Sequence, residues 1–256
     1  MSAKRRLDVC LVEKGLAQSR THAQELIEAG QVVLLVGSAK KVLKKASQAV
    51  SPEDLIQVEA GPANRFVSRG GLKLEGALEH LKLSVTNRSC LDVGISTGGF
   101  TDCLLQKGAA FVLGVDVGHG QVSPSLLKNS KLKVIEGINA RSLLDEVSVV
   151  ALTPKEKFDL IVMDVSFISI SLIIPQLRDF LKTEGHLLSL VKPQFEVGVD
   201  GLAKGGIVKE ASLYKDVEEK VKRICREEGF EVLDYFSSSI QGKDGNNEFF
   251  VFAKKI

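Results

Sequence analysis

Two acids and two lysines occupy positions from which they could act together. Asp164 ends the apolar run Leu160-Ile161-Val162-Met163. An acid in that position is costly to bury unless it faces a cleft or a partner. Lys192 ends residues 187–191, a second apolar run, and precedes Pro193. Two neighbouring strand ends would thus present an acid and a lysine side by side. Lys73 lies in Ser68-Arg69-Gly70-Gly71-Leu72-Lys73-Leu74, just ahead of the first apolar strand. Glu248 stands between Asn247 and the apolar run 249–252. One lysine disfavours the charged form of another, so one of the pair can take a proton or orient an oxygen. The carboxylates would fix the lysines. Such a set suits alkyl transfer to a very weakly acidic hydroxyl such as that of a ribose, where alignment supplies much of the acceleration.

A ligand loop precedes them. The strand Cys90-Leu91-Asp92-Val93 runs into Asp92-x-Gly94-x-x-x-Gly98-Gly99, with Ser96 and Thr97 inside. A dinucleotide fold wants G-x-G-x-x-G for close approach of a pyrophosphate, and the spacing here differs. Gly94 and Gly98 let the backbone come close to a ligand with no Cβ in the way. Asp116 ends the next apolar run, at the distance where a carboxylate commonly holds ribose hydroxyls. Together these features favour S-adenosylmethionine over NAD.

The elements that must hold these residues alternate. Strands are expected at 90–93, 111–115, 133–135, 159–163 and 187–191, and helices at 100–107, 169–181 and 211–228. That pattern argues an α/β sandwich on a mostly parallel sheet, with ligands at the carboxyl ends of its strands.

The first 60 residues read differently. Leu7, Cys10, Leu11 and Leu16 mark one helical face. Ser19 is a good N-cap for a second helix with the stripe Ala23, Leu26 and Ile27, and Gly30 stops it. A strand at 32–36, a turn at Gly37-Ser38 and a strand at 55–58 follow. Residues 1–64 hold nine basic and seven acidic side chains, so they carry the whole net charge of +2. Lys4, Arg5 and Arg6 open the first helix, Arg20 opens the second, and Lys40, Lys41, Lys44 and Lys45 follow the strand. Helix N-termini already favour phosphate.

These strings carry a resemblance. Arg6-Leu7-Asp8, Gly15-Leu16-Ala17-Gln18-Ser19-Arg20 and the run from Ala23 to Gly30 resemble the RNA-binding domain named after ribosomal protein S-four. Leu34-Leu35-Val36-Gly37-Ser38 replaces its usual Val-Asn-Gly turn. Residues 68–74, 91–102, 114–121, 164–169 and 190–196 look like the TlyA haemolysin/ribosomal-RNA methyltransferase family over nearly the whole chain.

That resemblance implies a class I S-adenosylmethionine-dependent methyltransferase domain of FtsJ type, Rossmann-like with a mostly parallel seven-stranded sheet, at 68–256. It also implies a small α+β RNA-binding domain at 1–60 and a linker at 61–67. Asn64-Arg65-Phe66-Val67 looks like the family's basic-aromatic hinge. The implied catalytic tetrad is Lys73, Asp164, Lys192 and Glu248. The cofactor set is Asp92, Gly94, Ser96, Thr97, Gly98, Gly99, Phe100, Thr101, Asp116, Val117, His119, Asn139, Ala140 and Asp164. The RNA-binding set is Lys4, Arg5, Arg6, Arg20, Gln24, Lys40, Lys41 and Arg65. The implied substrate is a cytidine of ribosomal RNA, free or within a ribosomal subunit, methylated on the ribose oxygen.

Composition narrows the alternatives. The chain has 256 residues, 44% hydrophobic and 26% charged, which is ordinary for a folded protein. Its four cysteines and four histidines show no C-x-x-C or H-x-x-x-H spacing, so buried thiols are expected and no metal. Base methylation on an amino group would suggest an Asn-Pro-Pro-aromatic string where Asp164-Val165-Ser166-Phe167 stands. Cytosine C5 methylation needs a thiol near that strand end, and none is near in sequence. Two further readings are membrane lysis and RNA binding without catalysis. The chain lacks a spanning segment, a signal peptide and tryptophan, so a cytoplasmic protein with no membrane partner is expected.

Overall fold

The computed structural model describes residues 4–17, 19–37, 39–59, 61, 64–242 and 245–256. The chain divides into two compact units, Met1–Arg69 and Gly70–Ile256.

In the first unit, helices α1 (Leu7–Glu13) and α2 (Arg20–Glu28) pack on each other through Leu7, Leu11, Ala23, Leu26 and Ile27. The Ser19 hydroxyl caps α2 by accepting from the His22 amide at 3.1 Å, and Gly30 stops it at φ +70°. A short pair, β1 (Arg5–Arg6) with β4 (Ala49–Val50), closes one side. The antiparallel sheet has β2 (Val32–Val36) between β3 (Ala39–Val42) and β5 (Ile56–Val58). The first helix ends at Glu13, so Leu16 packs on the core from a turn. Ser38 of the expected turn, Ala60 at the end of the expected first domain, and Pro62 and Ala63 of the expected linker lie outside the described residues.

The second unit is a three-layer sandwich. Its strands are β6 (Ser89–Val93), β7 (Phe111–Asp116), β8 (Leu132–Glu136), β9 (Phe158–Met163), β10 (Leu181–Val191), β11 (Phe230–Ser237) and β12 (Phe249–Lys255). They lie in the order β8-β7-β6-β9-β10-β12-β11. β12 is antiparallel to both neighbours, and the other pairings are parallel. Strand order reverses between β6 and β9, which makes a crevice at their carboxyl ends.

One face of the sheet is covered by α6 (Ile174–Leu177) and α7 (Ser212–Glu227), packed on Val93, Ile161, Val191 and Val251. The other is covered by α3 (Gly70–His80) and α4 (Gly99–Gln106), where Phe100 stacks on Phe250 and His80 on Phe236. A short helix, α5 (Val147–Leu152), sits between β8 and β9 in sequence.

The helix expected at 169–181 is broken. It resolves into a 3-10 turn at Ile170–Leu172, the one-turn α6 with Pro175 in its first positions, and a second 3-10 turn at Arg178–Phe180. Residues 181–186 then belong to β10. The apolar residues there pack into the core from short turns, where one helix was expected. All four cysteines are buried thiols, as expected.

Candidate functional site

The sheet register brings the four tetrad positions to one end of the fold. Val191 pairs with Phe249 on adjacent strands, so Lys192 and Glu248, each one residue further, leave the sheet as neighbours. Asp164 leaves β9 next door, its amide donating to the Val93 carbonyl at 3.1 Å. Gly94 follows Val93 there, at φ +83°, and a Cβ on it would lie 2.7 Å from the Asp164 carbonyl oxygen. The chain at the switch point is therefore close enough that only glycine fits.

Each lysine meets a carboxylate. Lys73, in the first turns of α3, donates to Glu248 Oε2 at 2.5 Å, with both side chains nearly buried. Lys192 Nζ lies 2.6 Å from Asp164 Oδ1 and donates to Ser166 Oγ at 2.9 Å. The Lys192–Asp164 contact is an ion pair by distance without hydrogen-bond alignment, so Asp164 Oδ1, shut from water, has no hydrogen-bond donor.

The ligand loop is ordered by carboxylates. Asp116 accepts from the Ser96 amide and from the Gly118 amide, each at 2.7 Å. Ser96 is left-handed at φ +48°, and its hydroxyl donates to Gln121 at 3.3 Å. Gly98, at φ +95°, caps α4. Ile138 donates to the Asp116 carbonyl at 2.8 Å, which brings Asn139 and Ala140 beside that strand end. The Asn139 side chain caps the turn that Ala140 begins, and His119 lies against Gly137. Ser96, Thr97, Val117 and His119 are exposed on this rim.

Asp92 is fully buried. Thr101 donates to its Oδ2 at 2.6 Å, and its Oδ1 has no hydrogen-bond partner. Burial pushes its carboxyl up to about 7, and the nearby Asp164 and Asp116 charges add to the rise. Thr101 and Phe100 turn their side chains into the fold, so they shape the loop from behind. Among the described residues no cluster of metal-ligating side chains occurs. Burial also raises the Cys90 thiol to about 12, far from a nucleophilic thiolate.

Sequence reasoning missed the residues that join the strand ends. Phe167, left-handed at φ +63°, is 90% exposed and stands 5.2 Å from Phe195, ring centre to ring centre. Glu196 is buried and binds Ser169 and Ile170. The strings containing them were visible, but not which segments they would bridge.

In the first unit, Arg6 and Arg20 converge on one acid. The carboxylate of Asp8, fully buried, accepts from Arg6 at 3.0 and 2.9 Å, from Arg20 at 3.1 Å and from Gln24 at 3.3 Å. Hydrogen bonding from Arg6 leads in holding this carboxyl well below the usual range, against the cost of burial. Both guanidinium groups stay largely exposed. Arg5 pairs with Glu13, and Lys40 with Glu59 at 2.7 Å. Lys4 and Lys41 are exposed. The Arg65 guanidinium lies 5.5 Å from the Phe66 ring centre.

Comparison with known proteins agrees with this architecture. The model of the FtsJ-like methyltransferase family matches residues 66–255, and that of the S4 domain matches residues 5–56. The 16S/23S rRNA (cytidine-2'-O)-methyltransferase TlyA of Mycobacterium tuberculosis is 39% identical over 254 residues, 99% of this chain and 91% of that protein. The putative rRNA methyltransferase YqxC of Bacillus subtilis is 40% identical over 248 residues, 97% of this chain and 85% of that protein. A solved structure of a putative hemolysin from Streptococcus thermophilus superposes with a TM-score of 0.73 at 36% identity, covering 100% of this chain and 90% of that one. Among the described residues no helix is long and apolar enough to cross a membrane. The chain belongs to the FtsJ-like methyltransferase family and carries an S4 domain in its first unit.

Proposed function

We propose that the protein transfers a methyl group from S-adenosylmethionine to the 2′-oxygen of a cytidine in ribosomal RNA. The observation that carries this reading is the meeting of two lysine–carboxylate pairs at the carboxyl ends of β9, β10 and the loop before β12, beside the glycine loop of β6. The relatives' names supply the cytidine and the ribose oxygen.

The loop residues fit the cofactor. Gly94 and Gly98 leave room against the backbone. Asp116 has one amide on each oxygen, which leaves lone pairs for two ribose hydroxyls. Asp92 Oδ1 and Asp164 Oδ1 are acceptors still lacking a hydrogen-bond donor. Ser96, Thr97, Gly99, Phe100, Thr101, Val117, His119, Asn139 and Ala140 complete the cradle, some through backbone groups alone. Bound there, the cofactor supplies an electrophilic methyl group.

An ammonium has three N–H donors. Lys192 directs one at Ser166 and lies beside Asp164 as an ion pair, so a donor is left for the ribose oxygen. Glu248 fixes Lys73 as the second cation beside the developing negative charge. As the oxygen takes the methyl group, its proton passes to the Asp164 carboxylate, the one base in a pair whose lysine is already an ammonium. Phe167 offers an exposed ring next to that pair, and unpaired bases stack on such faces.

Arg6, Arg20 and Gln24, set by Asp8, form the centre of an RNA face with Lys4, Arg5, Lys40, Lys41 and Arg65. A ribosomal subunit in the cytoplasm is the partner this reading implies.

Incubation of the protein and S-adenosylmethionine with unmodified bacterial ribosomal subunits, followed by digestion to nucleosides, tests the reading. 2′-O-methylcytidine is the expected product. A base-methylated nucleoside as the sole product would overturn it.

A further inference from the structure

The segments that follow β9 and β10 are joined by three rungs. The first is Lys192 with Asp164 and Ser166. The second is the ring pair Phe167–Phe195. The third is Glu196, four residues after Lys192. Its Oε1 accepts from the Ile170 amide at 2.8 Å and its Oε2 from the Ser169 hydroxyl at 2.6 Å. From α7, Lys220 reaches the same rung, at 2.8 Å from Glu196 Oε2 and 3.1 Å from the Glu196 carbonyl. The Glu196 side chain is 1% exposed.

A buried carboxylate with every oxygen satisfied is rigid, and costly to disturb. Between the first and third rungs lies Phe167, a non-glycine residue in the left-handed region. Such backbone persists only where its surroundings over-determine it. Glu196 has no place in the proposed chemistry. It instead clamps the two segments that begin at Asp164 and Lys192.

We propose that Glu196, braced by Lys220, is a positioning residue that sets the Lys192–Asp164 contact and the pose of Ser166 and Phe167. The inference rests on the methyl-transfer reading for its kinetic consequence, but its structural content can be read without turnover.

The test is Glu196→Gln in the full chain, which keeps the shape and removes the charge. Brief acylation with acetic anhydride, read by mass spectrometry, should label Lys192 several-fold faster than in the wild type. The exposed Lys204 serves as the internal reference. A displacement near 1 Å can cost about 100-fold in rate, so kcat for methyl transfer should fall about 10- to 100-fold. KM for S-adenosylmethionine and for RNA should hold, as should the melting temperature within a few degrees. A merely structural role would lower stability and leave this split unseen.

If Glu196→Gln does not fold, Ser169→Ala removes the Ser169 bond to Glu196, along with the Ser169 contacts to Lys220 and Ser171, and leaves Glu196 paired with Lys220, so no charge is stranded. It should then give the same pattern more weakly. Unchanged Lys192 labelling overturns the inference whatever the turnover. Raised labelling in a protein whose wild type makes no 2′-O-methyl product would keep the clamp and remove the methyl-transfer reading.

Discussion

At the scale of single residues, two buried carboxylates have opposite fates. Asp8 is buried among donors, and its ionised form is favoured. Asp92 is buried with one donor and two acidic neighbours, and its neutral form is favoured up to about pH 7. The folded Asp92 carboxyl holds its proton above the unfolded value of about 4. Its contribution is therefore fully present below pH 4 and is lost as pH rises through about 7. Melting curves of the wild type and Asp92→Asn should accordingly converge or cross between pH 4 and 7, the wild type losing ground as pH rises and the gap levelling above. A constant gap across that range would contradict the raised value. Asp8 gives a second prediction, against simple charge counting. Asp8→Asn raises the net charge from +2, yet it frees Arg6 and Arg20 from their shared anchor. RNA affinity should fall, and the slope of log affinity against log salt should shrink by about 1. Tighter binding with a steeper slope would show that Asp8 acts only as a negative charge near RNA.

At the scale of elements, the strand ends do most of the positioning, and these were the legible part. Apolar runs closing on Asp92, Asp116, Asp164 and Lys192 mark the parallel strands, because a central strand is buried on both faces and its end is where polar groups return. The antiparallel partners were harder. Ala39–Val42 is exposed along its length and carries two lysines, so it shows no buried alternation. Phe230–Ser237 has a register shift between Val232 and Asp234 that breaks its period. The helix over 70–80 was not foreseen either, although it holds Lys73. Glu196, Lys220 and Ser169 were unreadable for a different reason. Their meeting depends on how three separate segments pack, and no local pattern encodes that. Gly94 tests the strand-end arrangement. In Gly94→Ala a Cβ meets the Asp164 carbonyl at 2.7 Å, and the left-handed backbone costs roughly 1–2 kcal/mol. Calorimetry should show cofactor affinity falling at least tenfold. Unchanged affinity would mean that the loop and Asp164 separate without consequence.

At the scale of the whole molecule, one chain pairs a first unit of net charge +4 with a methyltransferase unit of net charge −2. That division suits a large anionic substrate. In the proposed reading the basic unit would supply affinity for phosphates in any sequence, and the shape of the crevice would select the nucleotide. In the proposed chemistry Lys73, Asp164, Lys192 and Glu248 align one hydroxyl, and the sequence order of their elements matters less than the packing that gathers them. The most direct measurement uses labelled S-adenosylmethionine with unmodified ribosomal RNA and subunits, the wild type beside Lys192→Ala, and alkaline digestion of the product. A 2′-O-methyl group blocks cleavage at its own nucleotide. The account predicts label in an alkali-resistant dinucleotide with the wild type, and none with Lys192→Ala although it still binds S-adenosylmethionine. Label released in mononucleotides, or full transfer by Lys192→Ala, would contradict it.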